Sequence, residues 1–390
     1  MPGPLAGVRV IDLTVMLAGP YTTMLLADLG AQVVKIEPPH GDATRAVGPY
    51  REGDGPEGLS GYFQSVNRGK QSVVLDLKTE AGREKLRALV RVADVFVENY
   101  SAGAIDRLGL GYETLRTQNP RLVYAAVRGF GDPRTGDSPY RDWPAYDVVA
   151  QAMGGLLGIT GTVDGTPVKT GPGVGDVFPG TLLAVGLLAA LHHAERTGQG
   201  QFVDVAMYDA MLSLCERVVH QYSYTGEVPV QQGNAHPLLC PFDILPAMDG
   251  WVALAANDGQ WTTVAHAIGR PDMATDARYA TNRARVRHRA EVREALEKWF
   301  ATRTIRQAVE VFGGRVPIGP VNTAADIFAD PHAAARGMLV PIEQPGSDEP
   351  VTVAGPAIKL TETPSAVRGR GPLLGEHDID RIIAAWTSAG

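Results

Sequence analysis

Over the first 130 residues, short β-branched runs alternate with stretches whose apolar residues recur every three or four places. Val8-Arg9-Val10-Ile11-Asp12-Leu13 predicts a buried strand, and a turn at Gly19-Pro20 follows, with Pro20 suited to a first helical position. Residues 21–29 carry a helical apolar face that stops at Gly30, a natural C-cap. Ala31-Gln32-Val33-Val34-Lys35-Ile36-Glu37 is the next strand. The pattern then predicts a strand over 72–77, Thr79 as an N-cap and a helix over 80–92. Further strands are expected at 94–98 and 122–128, with helices at 103–108 and 112–118. Strand and helix alternating at this spacing imply an α/β fold with a parallel, doubly wound sheet.

From 129 to 175 the chain is loop-rich, with one helix expected near 147–157. A long helix is predicted over 178–196, then a strand at 202–205 and a helix at 207–222. Beyond 226 the character changes. Residues 242–246 and 251–255 flank Met248-Asp249-Gly250, which reads as a β-hairpin with an Asp-Gly turn. Helices follow at 260–268, 289–301 and 305–312, then short strands at 338–342 and 351–353 and a last helix at 378–386. No internal repeat or low-complexity tract interrupts this, so the simplest plan is a doubly wound domain joined to a smaller α+β domain.

The 390 residues are 44% hydrophobic, enough for a substantial core. Net charge is −7 (36 Lys plus Arg against 43 Asp plus Glu) with no basic block, which argues against a nucleic-acid partner. Cys215 and Cys240 form neither a disulfide framework nor a metal-ligand spacing, so no metal is expected. Met1-Pro2-Gly3-Pro4 lacks the regions of a signal peptide, and the apolar run 181–191 is short for a membrane span. The expectation is a cytoplasmic protein with no membrane association.

Phosphate-loop, metalloprotease, dinucleotide and nucleophile-elbow motifs are absent from the sequence; Leu13 to Pro20 has no G-x-G-x-x-G, although Glu37 ends the second strand. The most unusual segment is Lys169-Thr170-Gly171-Pro172-Gly173-Val174-Gly175-Asp176 before the long helix. Its glycines permit close backbone approach and deliver one carboxylate near a helix N-terminus. Asp176 then reads either as a cap or as a carboxylate nucleophile in a glycine-lined cavity. With Pro179 marking the first turn, Asp176 falls slightly early for an ideal cap. Val97-Glu98-Asn99-Tyr100 ends a strand, with Arg107 on the next helix. Ligands of open α/β sheets bind at the carboxyl ends of strands, so Asn99 and Arg107 read as ligand contacts or as ordinary polar surface. Arg45, Arg68, Lys70 and Arg128 have the same two readings. His192, His193 and His236 read as structural.

Several of these segments together resemble the class III CoA-transferases, the CaiB/BaiF family that includes formyl-CoA transferase and carnitine dehydratase-like proteins. The resemblance rests on Val10-Ile11-Asp12-Leu13, Ala18-Gly19-Pro20, Leu26 to Ala31, Val34-Lys35-Ile36-Glu37, Asn67-Arg68-Gly69-Lys70 and Val97-Glu98-Asn99-Tyr100. It continues through Tyr146 to Ala152, Gly175-Asp176, Gly180-Thr181 to Gly200-Gln201, and Leu374-Gly375-Glu376-His377, in the family's order. It implies a large Rossmann-like CoA-binding domain at 1–200 completed by 345–390, linkers at 201–226 and 321–344, and a small α+β domain at 227–320. It further implies ring-like subunits in an interlocked homodimer. By the same resemblance Asp176 corresponds to the catalytic aspartate, and Asn99, Tyr100, Arg107 and Leu108 to residues lining the CoA site. Val15 and Leu17 fall in the loop over the active site, and Tyr146 on a tyrosine close to the substrate. No permanently bound cofactor is implied; acyl-CoA and a free carboxylic acid are the substrates.

The chemistry fits a carboxylate nucleophile, which forms a mixed anhydride where a serine would give a stable ester. Backbone N–H groups around Gly173 and Gly175 suit the oxyanions, and Arg45, Arg68 and Lys70 suit the CoA phosphates. Two departures from the family bear on specificity. The glycine run that closes over the intermediate in the formyl-CoA branch has Gly233-Asn234-Ala235-His236-Pro237 as its nearest counterpart, which does not support oxalate or formate and leaves room for a larger acyl group. The related α-methylacyl-CoA racemases pair the aspartate with a histidine where this chain has Tyr146, and a phenol, with a reference pKa of about 10, suits α-proton transfer poorly. The racemase and a non-enzymatic acyl-CoA binding protein are the alternative readings. Small dicarboxylates such as succinate are the expected substrates, with Arg45 or His236 as candidates for a distal carboxylate.

Overall fold

The computed structural model describes residues 2–53 and 59–388; the outer ends of the expected large domain, at 1 and 389–390, lie outside them. Six parallel strands form one sheet: β1 (Arg9–Leu13), β2 (Gln32–Glu37), β3 (Gln71–Val74), β4 (Val95–Glu98), β5 (Val123–Arg128) and β6 (Phe202–Ala206), in the order β3-β2-β1-β4-β5-β6. Val10, Ile11, Val34, Phe96, Val97 and Val123 are fully buried because helices cover both faces, which is why these strands read as continuous apolar runs.

The helices of this part are α1 (Ala18–Asp28), α2 (Gly61–Asn67), α3 (Glu80–Val90), α4 (Tyr112–Gln118), α5 (Asp147–Met153), α6 (Leu156–Ile159), α7 (Val174–Thr197), α8 (Met207–Leu214) and α9 (Glu216–Thr225). Thr79 caps α3 by accepting from Gly82 N at 3.1 Å. On one face Leu26, Leu183, Leu187 and Met211 form a core with the strands. On the other, Leu86, Leu115 and Tyr124 pack with Ile379, Ile382 and Trp386 of the C-terminal helix Ile379–Ser388. Helices α1 and α7 cross in close contact at Gly180, where a Cβ would lie 2.5 Å from Ala18 O. The 24 residues of α7 satisfy a membrane span by length and composition, more than the run 181–191 suggests, but Leu183, Leu187 and Ala190 are buried in the core.

The chain divides into two compact units, one of residues 1–156, 170–225 and 331–390, the other of 157–169 and 226–330. Segment 201–226, expected as a linker, is instead the edge strand β6 and helices α8 and α9; β6 completes the sheet by pairing with β5. Segment 321–344 contains helices Ala324–Ala329 and Pro331–Ala335 and the strand Leu339–Ile342, which pairs antiparallel with Val351–Ala354. In the second unit, β7 (Phe242–Ala247) and β8 (Gly250–Ala255) form the expected hairpin, and β9 (Ile318–Pro320) adds a third strand. Trp261, Leu296, Phe300 and Phe312 fill its core.

Other differences have local causes. The helix expected at 103–108 is only a 3-10 turn, Asp106–Leu108, stopped by Gly109 in the left-handed region (φ 69°). The one expected near 147–157 breaks between α5 and α6 at Gly155, with φ 95°. Helix α7 starts four residues before the predicted 178, so Asp176 lies inside its first turn and Pro179 inside the helix.

Candidate active site

The strand order reverses between β1 and β4, and the crevice there holds the first group of predicted residues. Asn99, just past β4, accepts from Val15 N at 2.9 Å and donates to Val15 O at 2.7 Å. This pins the loop leading into α1, in which Met16 takes the left-handed conformation (φ 67°). Tyr100 and Leu108 are partly buried against the core. Arg107 is exposed, and its guanidinium has no ion pair among the described residues.

The second group forms around the start of α7. Gly173 occupies the N-cap position without a side-chain cap, and the missing acceptor comes from α5: Asp147 Oδ1 takes the Gly175 N–H at 2.7 Å. The donor a local cap would satisfy is therefore taken from another helix, and neither Asp176 oxygen accepts a hydrogen bond among the described residues. Burial first, and the charge of Asp147 second, push the Asp176 carboxyl up to about 7. A Cβ on Gly173 would lie 3.0 Å from Leu17 Cδ2, 3.7 Å from Asp176 Oδ2 and 3.8 Å from Asp147 Cγ, so loop, nucleophile candidate and neighbouring acid converge on one glycine. Tyr62 on α2 faces the same charge; burial, then Asp176 and Asp42, raise its phenol. An apolar cavity of about 420 Å³ adjoins this region, lined on one side by Leu17, by Tyr21, Met24 and Leu25 of α1 and by Val177.

Gly175 has no room for a side chain: its Cβ would stand 2.5 Å from Asp147 O and 3.0 Å from Asp147 Oδ1. Gly175→Ala should lower kcat about 10–100-fold and destabilise by about 1–3 kcal/mol, read from initial rates and Tm. Unchanged kcat would mean that the α5–α7 contact does not shape the site.

Three predicted phosphate contacts are corrected. Lys70 is completely buried on Asp12 Oδ2 (2.8 Å), Pro20 O and Asn67 Oδ1. Arg68 is buried on Asp28, 2.7 Å from Oδ2. Arg45 makes a bidentate pair with Glu37 at 2.8 and 2.7 Å and lies over the Phe63 ring. Each of these cations is taken up by a buried acid that must be neutralised: Asp12 of β1, Asp28 at the end of α1 and Glu37 of β2. Arg128 is likewise buried between Glu98 and Asp132. Its pair with Glu37 likewise leaves Arg45 unavailable as a distal-carboxylate contact. Tyr146 sits at the N-cap of α5 with its side chain in solvent, 66% exposed. His236 lies in the second unit, its Nδ1 accepting from Leu238 N. Sequence reasoning missed Asp147, Gln151 and Tyr62. The first two carry a signal, an acid and a carboxamide four residues apart opening a helix; α2, which presents Tyr62, has none. Among the described residues no group of three or more His, Cys, Asp or Glu is placed to hold a metal.

A doubly wound sheet with Asn99 clamped at the β1/β4 reversal, and an uncompensated carboxylate at a glycine-lined helix start, define an α/β protein with a candidate enzyme site. The chain belongs to CoA-transferase family III, whose model matches residues 5–378. It is 51% identical over 389 residues to a succinyl-CoA:mesaconate CoA-transferase of Haloarcula hispanica, covering 100% of this chain and 98% of that relative. It is 42% identical to a succinate–glutarate CoA-transferase of Agrobacterium fabrum, covering 96% and 94%. A CAIB/BAIF family protein from Brucella suis superposes with a TM-score of 0.87 at 37% identity, covering 99% of this chain and 100% of that one. CoA thioesters and carboxylic acids are the substrates of such enzymes.

Proposed function

We propose that this protein moves CoA from succinyl-CoA to a small free dicarboxylate of the mesaconate type, with Asp176 as covalent nucleophile. The observation that carries the reading is the Asp176 carboxylate itself: half-buried, without a donor, and raised to about 7, so that it is both ionised in part and unusually basic at neutral pH. The acyl pair is suggested by the named relatives at 51% and 42% identity. Leu17, Tyr21 and Val177 supply an apolar wall for the carbon skeleton.

In the proposed cycle, the Asp176 carboxylate adds to the thioester carbonyl and expels CoA thiolate, leaving a mixed aspartyl–succinyl anhydride. The thiolate adds to the aspartyl carbonyl and expels succinate, giving aspartyl-CoA thioester. The acceptor carboxylate attacks that thioester, releasing thiolate and forming a second anhydride; the thiolate then takes the acceptor acyl group and frees Asp176. Backbone N–H groups around Gly173 and Gly175 are candidates for the oxyanions, and Asn99, Tyr100, Arg107 and Leu108 for the CoA site, with Val15 and Leu17 above the acyl group and Tyr146 at its edge. The large unit binds CoA in this reading, and the working form is a cytoplasmic homodimer of interlocked subunits. The exposed Tyr222, Tyr224, Val228 and Val230 support such an assembly.

Incubation with succinyl-CoA alone, a quench and peptide mass spectrometry test this. CoA or succinyl mass on the peptide containing Asp176 is expected. Its absence, together with deuterium exchange at the α-carbon of a 2-methylacyl-CoA, would replace the transferase by the racemase.

A further inference from the structure

We propose that Gln151, acting through Asp147, is a positioning residue that holds the glycine segment and a fixed negative charge beside Asp176; this rests on Asp176 being the nucleophile. Gln151 is completely buried. Its Nε2 donates to both oxygens of Asp147, at 2.8 and 2.9 Å, and its Oε1 accepts from Thr170 N at 3.1 Å. Asp147 in turn accepts from Gly175 N at 2.7 Å. One carboxamide and one carboxylate thus tie the segment at 170 and at 175 to a single turn of α5. A buried glutamine satisfied on both its polar atoms costs little, whereas losing one partner strands the others.

The arrangement also distinguishes the two acids. Asp147 has its oxygens occupied by N–H donors; Asp176 accepts from none among the described residues and bears the repulsion of the Asp147 charge. Asp147 is the charged group that acts on Asp176, and Tyr62 is the phenol that senses Asp176 in return. The pair therefore makes Asp176 more basic, and a better nucleophile, without competing for the acyl group.

Two variants separate charge from posture. Asp147→Asn keeps an oxygen for Gly175 N–H and removes the charge; the acid limb of kcat/KM for succinyl-CoA should move to lower pH, as Asp176 falls towards an ordinary carboxylate. Gln151→Met keeps the volume and removes both ties; kcat should fall about 10–100-fold with KM for succinyl-CoA changed less than about threefold, because only the reacting geometry is disturbed. An acid limb that stays at the wild-type pH in Asp147→Asn, or a kcat for Gln151→Met within twofold of wild type, overturns the proposal. An adduct still trapped at Asp176 in that case leaves the transferase reading intact, whereas turnover by Asp176→Asn removes the premise instead.

Discussion

Asp176→Asn should reduce CoA transfer at least about 10⁴-fold, the scale on which removal of a covalent nucleophile is felt. A carboxamide nitrogen or oxygen cannot form the anhydride, and the nearest other carboxylate, Asp147, is tied to Gly175 and Gln151 and cannot substitute. In the wild type, transfer should weaken as pH falls through about 7, the value to which burial and Asp147 raise the Asp176 carboxyl. The same shift predicts an opposite effect on stability. A carboxyl whose pKa is raised on folding favours the native state when protonated, and that contribution is lost as pH rises through about 7. Asp176→Asn, permanently neutral, should therefore show a higher Tm than wild type above that pH and little difference below pH 4. An inactive variant with lower Tm at pH 8 would indicate a structural role, and an active one would dismiss Asp176 as nucleophile.

This trade between stability and reactivity explains which parts of the site were legible in the sequence. All six sheet strands were visible because each carries a short Val-rich apolar run, with the residues of β1, β2, β4 and β5 almost all buried on both faces. The β7–β8 hairpin was visible because its Asp249-Gly250 turn is local chemistry. The start of α7 was not, since its cap comes from Asp147, 28 residues earlier, and no local rule reads that. Lys70, Arg68 and Arg45 were misread for a related reason. A cation between sheet elements suggests phosphate, but only the fold shows that Asp12, Asp28 and Glu37 already occupy these three. Asn99 fell between the two cases: its place at the end of β4 was readable, its clamp on Val15 was not.

Lys70→Met should destabilise the large unit by about 3–5 kcal/mol, the usual consequence of stripping one partner from a buried ion pair. Lys70 and Asp12 are both completely buried, 2.8 Å apart. Burial raises Asp12, but Lys70 and Lys35 more than reverse this and bring it down to about 2; burial lowers Lys70, and Asp12 limits the fall to about 8. Both are therefore charged at pH 7. Without the ammonium, Asp12 keeps its bonds from Thr14 N and Thr23 Oγ1, at 2.9 and 2.7 Å, yet sits anionic in the core with Lys35 as its remaining counter-charge. Thermal unfolding should register a Tm lower by roughly 5–10 °C. Adding Asp12→Asn to Lys70→Met should cost less than the sum of the two single changes, with a coupling of at least about 1 kcal/mol, since the stranded charge is then gone. The damage also reaches the site. Asp12 holds Thr14, and Lys35 Nζ donates to Thr14 O at 2.7 Å, so the loop carrying Val15 and Leu17 rests on this charge cluster. Lys70→Met should accordingly raise KM for succinyl-CoA even at temperatures where the protein is folded. A Tm within about 2 °C of wild type would show that the pair is replaceable by packing alone, and an unchanged KM would show that the loop is held by Asn99 without it.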